Sequence, residues 1–419
     1  MNRTRIVLSS LVALLLIIVG LLVQLGLLDR MPPEVEVRLP DGPLRQDVQL
    51  YALVWDQSPG VSSVTVQLDD RPPEAVPVRD GVVSWTLQTA GLDDGLHRLT
   101  VTGTDGAFAQ NQGKATVLFE SDNAFPTLEI ATAGLVAVQG RTQCVLLRTA
   151  EPLASLTGAV FGKGRRFYEI APGVWRALVG VEIRQETGHH AMTLEAVDVA
   201  GNVAKAEIPI RVEAGDFPAG GTIRLTRAQT EARRDTTNRD KTRKEREDAY
   251  RVRDDVQRWS APMLRPVRGR RSSAFGRYRT YSDGHRSYHS GTDLANVTGT
   301  PVSASAAGIV RQAGWEHIFG NVVIVDHGQG VSTSYNHLSA VDVTVGQPVD
   351  RGDTVGEVGS TGQSTGPHLH WGLVVDGVAV DAEQWLDRTW SPEEFSQFID
   401  LSQIEGGAIW DGAAALTDR

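Results

Sequence analysis

The sequence predicts a mainly β protein: two tandem β-sandwiches, a charged helical connector and a C-terminal antiparallel β domain, behind one N-terminal apolar helix. Three observations carry this prediction. From Pro33 to about Glu213 short segments alternate apolar and polar residues, as in Val35-Glu36-Val37-Arg38-Leu39, Ser63 to Leu68 and Ile208 to Val212. That region also repeats itself: a constant offset of 93 residues takes Gly95-x-His97-x-x-Thr100 to Gly188-x-His190-x-x-Thr193, and Glu120 to Glu213. Beyond Met263, strand-like runs such as Gly308-Ile309-Val310, Val322 to Asp326 and Leu373-Val374-Val375 alternate with glycine-rich turns. A length of 419 residues accommodates roughly two to four domains.

The elements follow in order. Ile6 to Leu28 is an uncharged, leucine-rich run, long enough to cross a hydrocarbon core about 30 Å thick. Arg3 and Arg5 precede it, which by the positive-inside rule keeps the N-terminus in the cytoplasm. A cleaved signal peptide has an apolar core of about 7–15 residues and a small-x-small cleavage site. This run is longer, and Leu28 to Pro33 offers no such site. Residues 1–30 are therefore expected to be an uncleaved single-pass anchor in the cytoplasmic (inner) membrane, with everything after Asp29 outside the cytoplasm. The repeat length matches one β-sandwich of about 100 residues, which gives modules at 33–122 and 123–213. Asp198-Val199-Ala200-Gly201-Asn202 resembles a turn of bacterial immunoglobulin-like domains. These modules read as spacers or as partner-binding surfaces.

Residues 214–260 form the connector. Between Thr226 and Trp259 charged residues dominate, and pairs such as Lys241 with Glu245 lie four apart, as on a solvated helix. The plain reading is a stiff, exposed linker; the alternative is a helix that packs over the active cleft as a regulator. The C-terminal domain covers 261–390. After it, Ser391-Pro392-Glu393-Glu394 has the N-cap, first-turn proline and acidic residues of a helix start, and the tail of 391–419 is expected to be mobile after Gly406.

Composition narrows the function. A formal net charge of -10 argues against nucleic acid as a partner. The single cysteine, Cys144, excludes an internal disulfide and sits in Gln143 to Leu147, a buried-strand pattern, so it reads as a core thiol. The chemistry concentrates elsewhere: seven of the ten histidines lie between His285 and His370. Two imidazoles and one carboxylate around an ion leave a coordination position open for water, as in catalytic zinc sites. His368 and His370 are two apart, so on a strand they leave the same face, one able to bind metal and the other to reach a neighbouring substrate atom. His289 and Asp293, on a straight strand, would sit about 13 Å apart at roughly 3.3 Å per residue. A bend is needed between them, and Gly291 permits one.

From about Arg271 to Leu386 the sequence resembles the M23 family of zinc metallopeptidases, the lysostaphin and LytM type. The resemblance rests on Ser273-Ala274-Phe275-Gly276, His289-x-x-x-Asp293, Gly299-Thr300-Pro301-Val302, Gly320-Asn321, Tyr335-x-His337-Leu338, Gly346 with Val349 and Gly352, and Gly362-x-x-Thr365-Gly366-Pro367-His368-Leu369-His370. It implies an antiparallel β LytM-type domain that binds one Zn2+ through His289, Asp293 and His370. It also implies that His337 and His368 act on water and on the developing oxyanion. No His-Glu-x-x-His helix is present, so histidine fills the role of base. The implied substrate is the peptide stem of peptidoglycan, cut by a zinc endopeptidase outside the cytoplasmic membrane. Some family members have lost zinc ligands and activate cell-wall amidases instead. That non-catalytic reading is the runner-up, and the complete ligand set here weighs against it. A secreted peptidase that attacks other proteins or another cell's wall is a third reading, disfavoured by the anchor. His97, His189, His190, His285, His317 and His327 read as structural. The loops near Arg277–Arg286 and Trp315–Phe319 are the ones expected to line the substrate pocket.

Overall fold

The computed structural model describes residues 12–22, 27, 29–57, 60–224, 226–227, 230–231, 235–251, 254–395, 397–400 and 408–411. It is mainly β, as expected. Residues 12–22 are helical and largely exposed. The rest of the apolar run, residues 6–11 and most of 23–28, lies outside the described residues. Among the described residues no helix is long and apolar enough to cross a membrane.

The chain divides into two compact units, residues 1–126 with 197–203, and residues 127–196 with 204–419. In the first, two four-stranded sheets enclose one core. One sheet contains Asp47–Trp55, whose alternate residues Leu50, Ala52 and Val54 are buried. The other contains Gly95–Asp105, which buries Leu99 and Val101. This period-2 burial is the physical origin of the alternation seen in sequence.

The second unit begins with a similar two-sheet module. Its core includes Ile130, Leu147, Met192, Ile208 and Ile210. The repeat has a structural counterpart. Gly188–Asp198 is an 11-residue strand like Gly95–Asp105. His97 Nε2 lies 2.8 Å from the carbonyl of Asp93, and His190 Nε2 lies 2.7 Å from that of Glu186, each four residues upstream. Asp105 accepts from the backbone and side chain of Asn111, and Asp198 does the same with Asn202, closing the turn that follows each strand. Cys144 is buried and its thiol is pushed up to about 12 by burial, as a core thiol should be.

The C-terminal domain is built on an eight-stranded antiparallel sheet. Its strand order is Arg270–Ser273, Thr292–Ala295, His368–Val375, Val331–Leu338, Gly320–Gly328, Gly308–Glu316 and Pro348–Val349, with Val378–Val380 beside His368–Val375. Leu369, Trp371, Leu373 and Val375 enter the main core with Tyr335, Val323 and Trp385. The alternate residues, from His368 and His370 onward, face the other way.

Two expectations are corrected. The connector is not a free-standing linker. Ala219–Ile223 pairs in parallel with Tyr278–Tyr281, and the helix Thr236–Arg251 packs on the eight-stranded sheet. Thr242 and Ala249 are buried and Arg246 lies between them, at helical spacing on one face. That face is polar in sequence, so a hydrophobic pattern could not show it. The tail also differs from expectation. Ser391 starts only a short 3-10 turn, Pro392–Glu394. Phe398–Asp400 then pairs with Glu129–Ala131, and Ala408–Asp411 pairs with Ala204–Glu207. The C-terminal chain thus returns to complete both sheets of the second module, an association of distant segments that no local signal encodes.

The second module and the C-terminal domain share further contacts. Arg176 is 1% exposed and donates to Trp390 O, Gln257 Oε1 and Gln329 Oε1. Trp385 Nε1 donates to Thr142 Oγ1 at 2.9 Å. Ala131, Cys144, Leu146 and Leu178 of that module belong to the same core as Trp259 and Trp385.

His327, read from sequence as structural, is fully buried at the end of Gly320–Gly328. Its Nδ1 donates to Ala307 O, and its Nε2 lies 2.8 Å from Thr333 Oγ1. Burial lowers its pKa to about 4 from 6.5. The folded pKa is the lower one, so the stabilisation is complete above pH 6.5 and is lost as pH falls towards 4. The loss is on the order of 3 kcal/mol. In urea unfolding, the parent should lose that much more stability between pH 7 and pH 4 than His327→Gln. Parallel profiles for the two proteins would refute a buried neutral histidine.

Candidate metal centre and catalytic cleft

Three neighbouring strands assemble the site. In the register of Thr292–Ala295 with His368–Val375, Asp293 stands directly opposite His370, and Asn336 of the next strand stands opposite His370 on the other side. Ser290 and Gly291 bend the chain ahead of Asp293 and bring His289 back over it. Gly291 is needed for a reason the sequence did not show. A Cβ there would lie 2.5 Å from Trp371 O and 2.9 Å from the His370 ring. The residue provides room for a close approach rather than an unusual φ.

The result is a tight triangle. His289 Nε2 is 3.0 Å from His370 Nδ1, and each is 2.9 Å from Asp293 Oδ1. All three residues are buried. With His289 neutral, hydrogen bonds alone do not satisfy the triangle. His289 Nδ1 lies 2.9 Å from the carbonyl of Ala274, which only accepts. The neutral ring therefore carries its proton on Nδ1, leaving the Nε2 lone pair aimed at the Asp293 carboxylate. A cation resolves that conflict, and three N/O donors within 4.8 Å of one another suit one. Zinc takes such ligands at about 2.0–2.2 Å. For Asp293, burial raises the carboxyl pKa, but the adjoining His289 and His370 rings outweigh it and hold the group well below the usual carboxylate range. Its second oxygen, Oδ2, accepts from Arg279 Nη2 at 2.9 Å, and the same nitrogen donates to Ser273 Oγ at 2.8 Å. Burial brings His370 down to about 4.

The remaining two histidines stand beside the triangle. His368 Nε2 is 3.6 Å from Asp293 Oδ1, and the His337 and His368 ring centres are 5.0 Å apart. His337 Nδ1 donates to Thr361 O at 2.8 Å, and His368 Nδ1 donates to Gly366 O at 2.8 Å. Each fixed tautomer leaves a basic Nε2. Burial, then the neighbouring His370 and His368, bring His337 down to about 3, so it is neutral near pH 7. His337 also has φ 63, a left-handed backbone that costs a non-glycine residue on the order of 1–3 kcal/mol. The strain is held by the bond from His337 N to Phe319 O, 2.8 Å. A cleft of about 240 Å³ opens on all five residues, with Phe319, Tyr281 and Tyr288 among its walls.

All five residues expected at the site thus converge. Several others were not assigned from sequence. Arg279, which holds Asp293, and Phe319 fall in the two loops expected to line the pocket. Arg246 and Asn336 had no signal: one lies in a charge-rich helix, and the other between two motif residues.

Residues 287–382, which contain all five, match Peptidase family M23. Peptidoglycan DD-endopeptidase ShyA of Vibrio cholerae is 46% identical over 114 residues, 26% of this chain and 26% of that protein. DD-carboxypeptidase/endopeptidase Mpg of Neisseria meningitidis is 45% identical over 111 residues, 26% of this chain and 25% of that protein. The catalytic domain of the antimicrobial peptidase lysostaphin from Staphylococcus simulans is 34% identical, covers 28% of this chain and 92% of its own, and has a TM-score of 0.26. The chain spans about a quarter of the length of the curated relatives it matches.

Proposed function

We propose that this protein is a zinc-dependent endopeptidase that hydrolyses peptide bonds in the crosslinks of peptidoglycan. The observation that carries the reading is the His289–Asp293–His370 triangle with the Nε2 atoms of His337 and His368 beside it. The match to Peptidase family M23 and the likeness to named peptidoglycan DD-endopeptidases support the substrate class. A zinc ion held by the three residues would supply Lewis acidity, polarising the scissile carbonyl and acidifying an attacking water. The protein's own groups do the rest. Arg279 and the Ala274 carbonyl hold Asp293 and His289 in place. One of the two imidazoles accepts the water proton on its free Nε2 and returns it to the leaving amine, and the other stabilises the oxyanion when it carries a proton on Nε2. Digesting defined crosslinked muropeptides with the full chain and weighing the products tests the reading. New amine and carboxyl ends at a stem-peptide bond support it; intact muropeptides with added zinc refute it and would favour the amidase-activator reading.

The apolar run from Ile6 to Leu28 and the preceding arginines support a single-pass membrane anchor, with the catalytic domain on the periplasmic or cell-wall side. The repeat and the turn at Asp198–Asn202 support immunoglobulin-like modules between anchor and enzyme. A reporter active only outside the cytoplasm, fused after Glu213, should be active and sediment with membranes; a soluble product starting after residue 30 would overturn the anchor.

A further inference from the structure

The helix Thr236–Arg251 lies outside the matched segment, yet it is tied to the cleft by one side chain. Arg246 Nε lies 3.0 Å from both carboxylate oxygens of Glu316, whose side chain is fully buried. Its Nη2 donates to Asn336 Oδ1. Its guanidinium stacks 3.8 Å over the Phe319 ring. Each partner leads to the site. Asn336 Nδ2 donates to the His370 carbonyl at 2.9 Å, and Phe319 O accepts from the His337 backbone. The Phe319 ring centre is 5.9 Å from that of His370 and 6.3 Å from that of His337.

Two cavities meet at Phe319. The one of about 240 Å³ contains the five site residues and no residue of the helix. The other, about 350 Å³, has the helix as one wall, through Thr242, Arg246 and Tyr250, and Val374 and Ala379 of the sheet opposite. His370 and Phe319 border both. The helix therefore does not fill the space over the metal centre. It walls a second compartment that continues from that space, large enough for part of a peptide.

We propose that this helix is a built-in wall of the substrate cleft, and that Arg246 is a positioning residue that sets Phe319 where the two compartments join. The second compartment then receives the peptide flanking the scissile bond. This proposal rests on the peptidase reading for its substrate, but the latch itself is a property of the fold. The chemistry favours arginine specifically. A planar guanidinium can satisfy a buried carboxylate, an amide oxygen and an aromatic face together, which an ammonium cannot.

Removing Arg246 alone leaves Glu316 buried without its cation, which alone disfavours folding. The informative variant is therefore Arg246→Met with Glu316→Gln, in which both charges go and the introduced amide oxygen can still accept from Gln312. In the full chain this double variant should melt close to the parent and keep one zinc. Its KM for a crosslinked muropeptide should rise at least tenfold, with kcat within threefold, and amide exchange over residues 316–320 should accelerate. Arg246→Lys should fall between the two. A parental KM in the double variant would overturn the proposal, since Arg246 would then only neutralise Glu316. A lowered KM or a raised kcat would also overturn it, because the helix would then obstruct the cleft. If the unsubstituted chain cleaves no muropeptide, the peptidase reading fails, and exchange decides the latch by itself: equal rates over 316–320 in parent and double variant refute it.

Discussion

Asp293→Ala and His370→Ala should each strip the protein of zinc and abolish hydrolysis. Asp293 occupies the corner where both imidazole nitrogens converge at 2.9 Å, so its loss removes the anionic ligand and the contact that orients the two rings. It also leaves Arg279 facing an empty, buried position, since Asp293 Oδ2 is that group's acceptor. His370 is equally central: Asn336 holds its backbone, and its Nδ1 lies 2.9 Å from Asp293 Oδ1 and 3.0 Å from His289 Nε2. Metal analysis of each purified variant against the parent, with hydrolysis measured in the same samples, checks the prediction. Near-parental zinc and activity in either variant would remove the ligand assignment.

His337→Ala and His368→Ala should behave differently. Both should stay folded and zinc-loaded, because the three residues of the triangle remain. Both should lose about 10²–10⁴-fold in kcat, with a similar loss in kcat/KM, as expected for groups that act mainly in the transition state. Each has its Nδ1 committed to a backbone carbonyl, so only Nε2 is available to move a proton or bind an oxyanion. The His337 variant carries a second effect. Its left-handed backbone is relieved by glycine, so His337→Gly should be at least as stable as His337→Ala while remaining as inactive. A variant that loses zinc as completely as His370→Ala would mark that histidine as a metal ligand.

How much of this is legible in the sequence depends on the range of the interaction. The spacing of His368 and His370 reports their common face directly, because a strand has a period of two. The need for a bend between His289 and Asp293 follows from the length of an extended chain, and the bend occurs at Ser290-Gly291. The repeat is legible because Gly95-x-His97-x-x-Thr100 recurs as Gly188-x-His190-x-x-Thr193 at the start of the same long strand in each module. The packing of the connector is hidden because its buried face is Thr242, Arg246 and Ala249, which carries almost no hydrophobic signal. An arginine in a run of charges looks solvated until its buried carboxylate partner, 70 residues away, is known. The returning strands Phe398–Asp400 and Ala408–Asp411 are invisible for a related reason: they are too short to stand out and gain their stability from strands far earlier in the chain. Arg279 is within reach, since it lies in a segment that the sequence singles out, but nothing local distinguishes it from Arg277.

One zinc in the His289–Asp293–His370 triangle is proposed to make this chain a peptidase. The most direct test strips the full chain with a chelator, then titrates zinc back while following cleavage of a crosslinked muropeptide. The account predicts no cleavage in the stripped protein and full recovery at one zinc per chain, with no recovery in Asp293→Ala at any zinc level. Cleavage that survives complete removal of metal, or that returns in Asp293→Ala as it does in the parent, would contradict it.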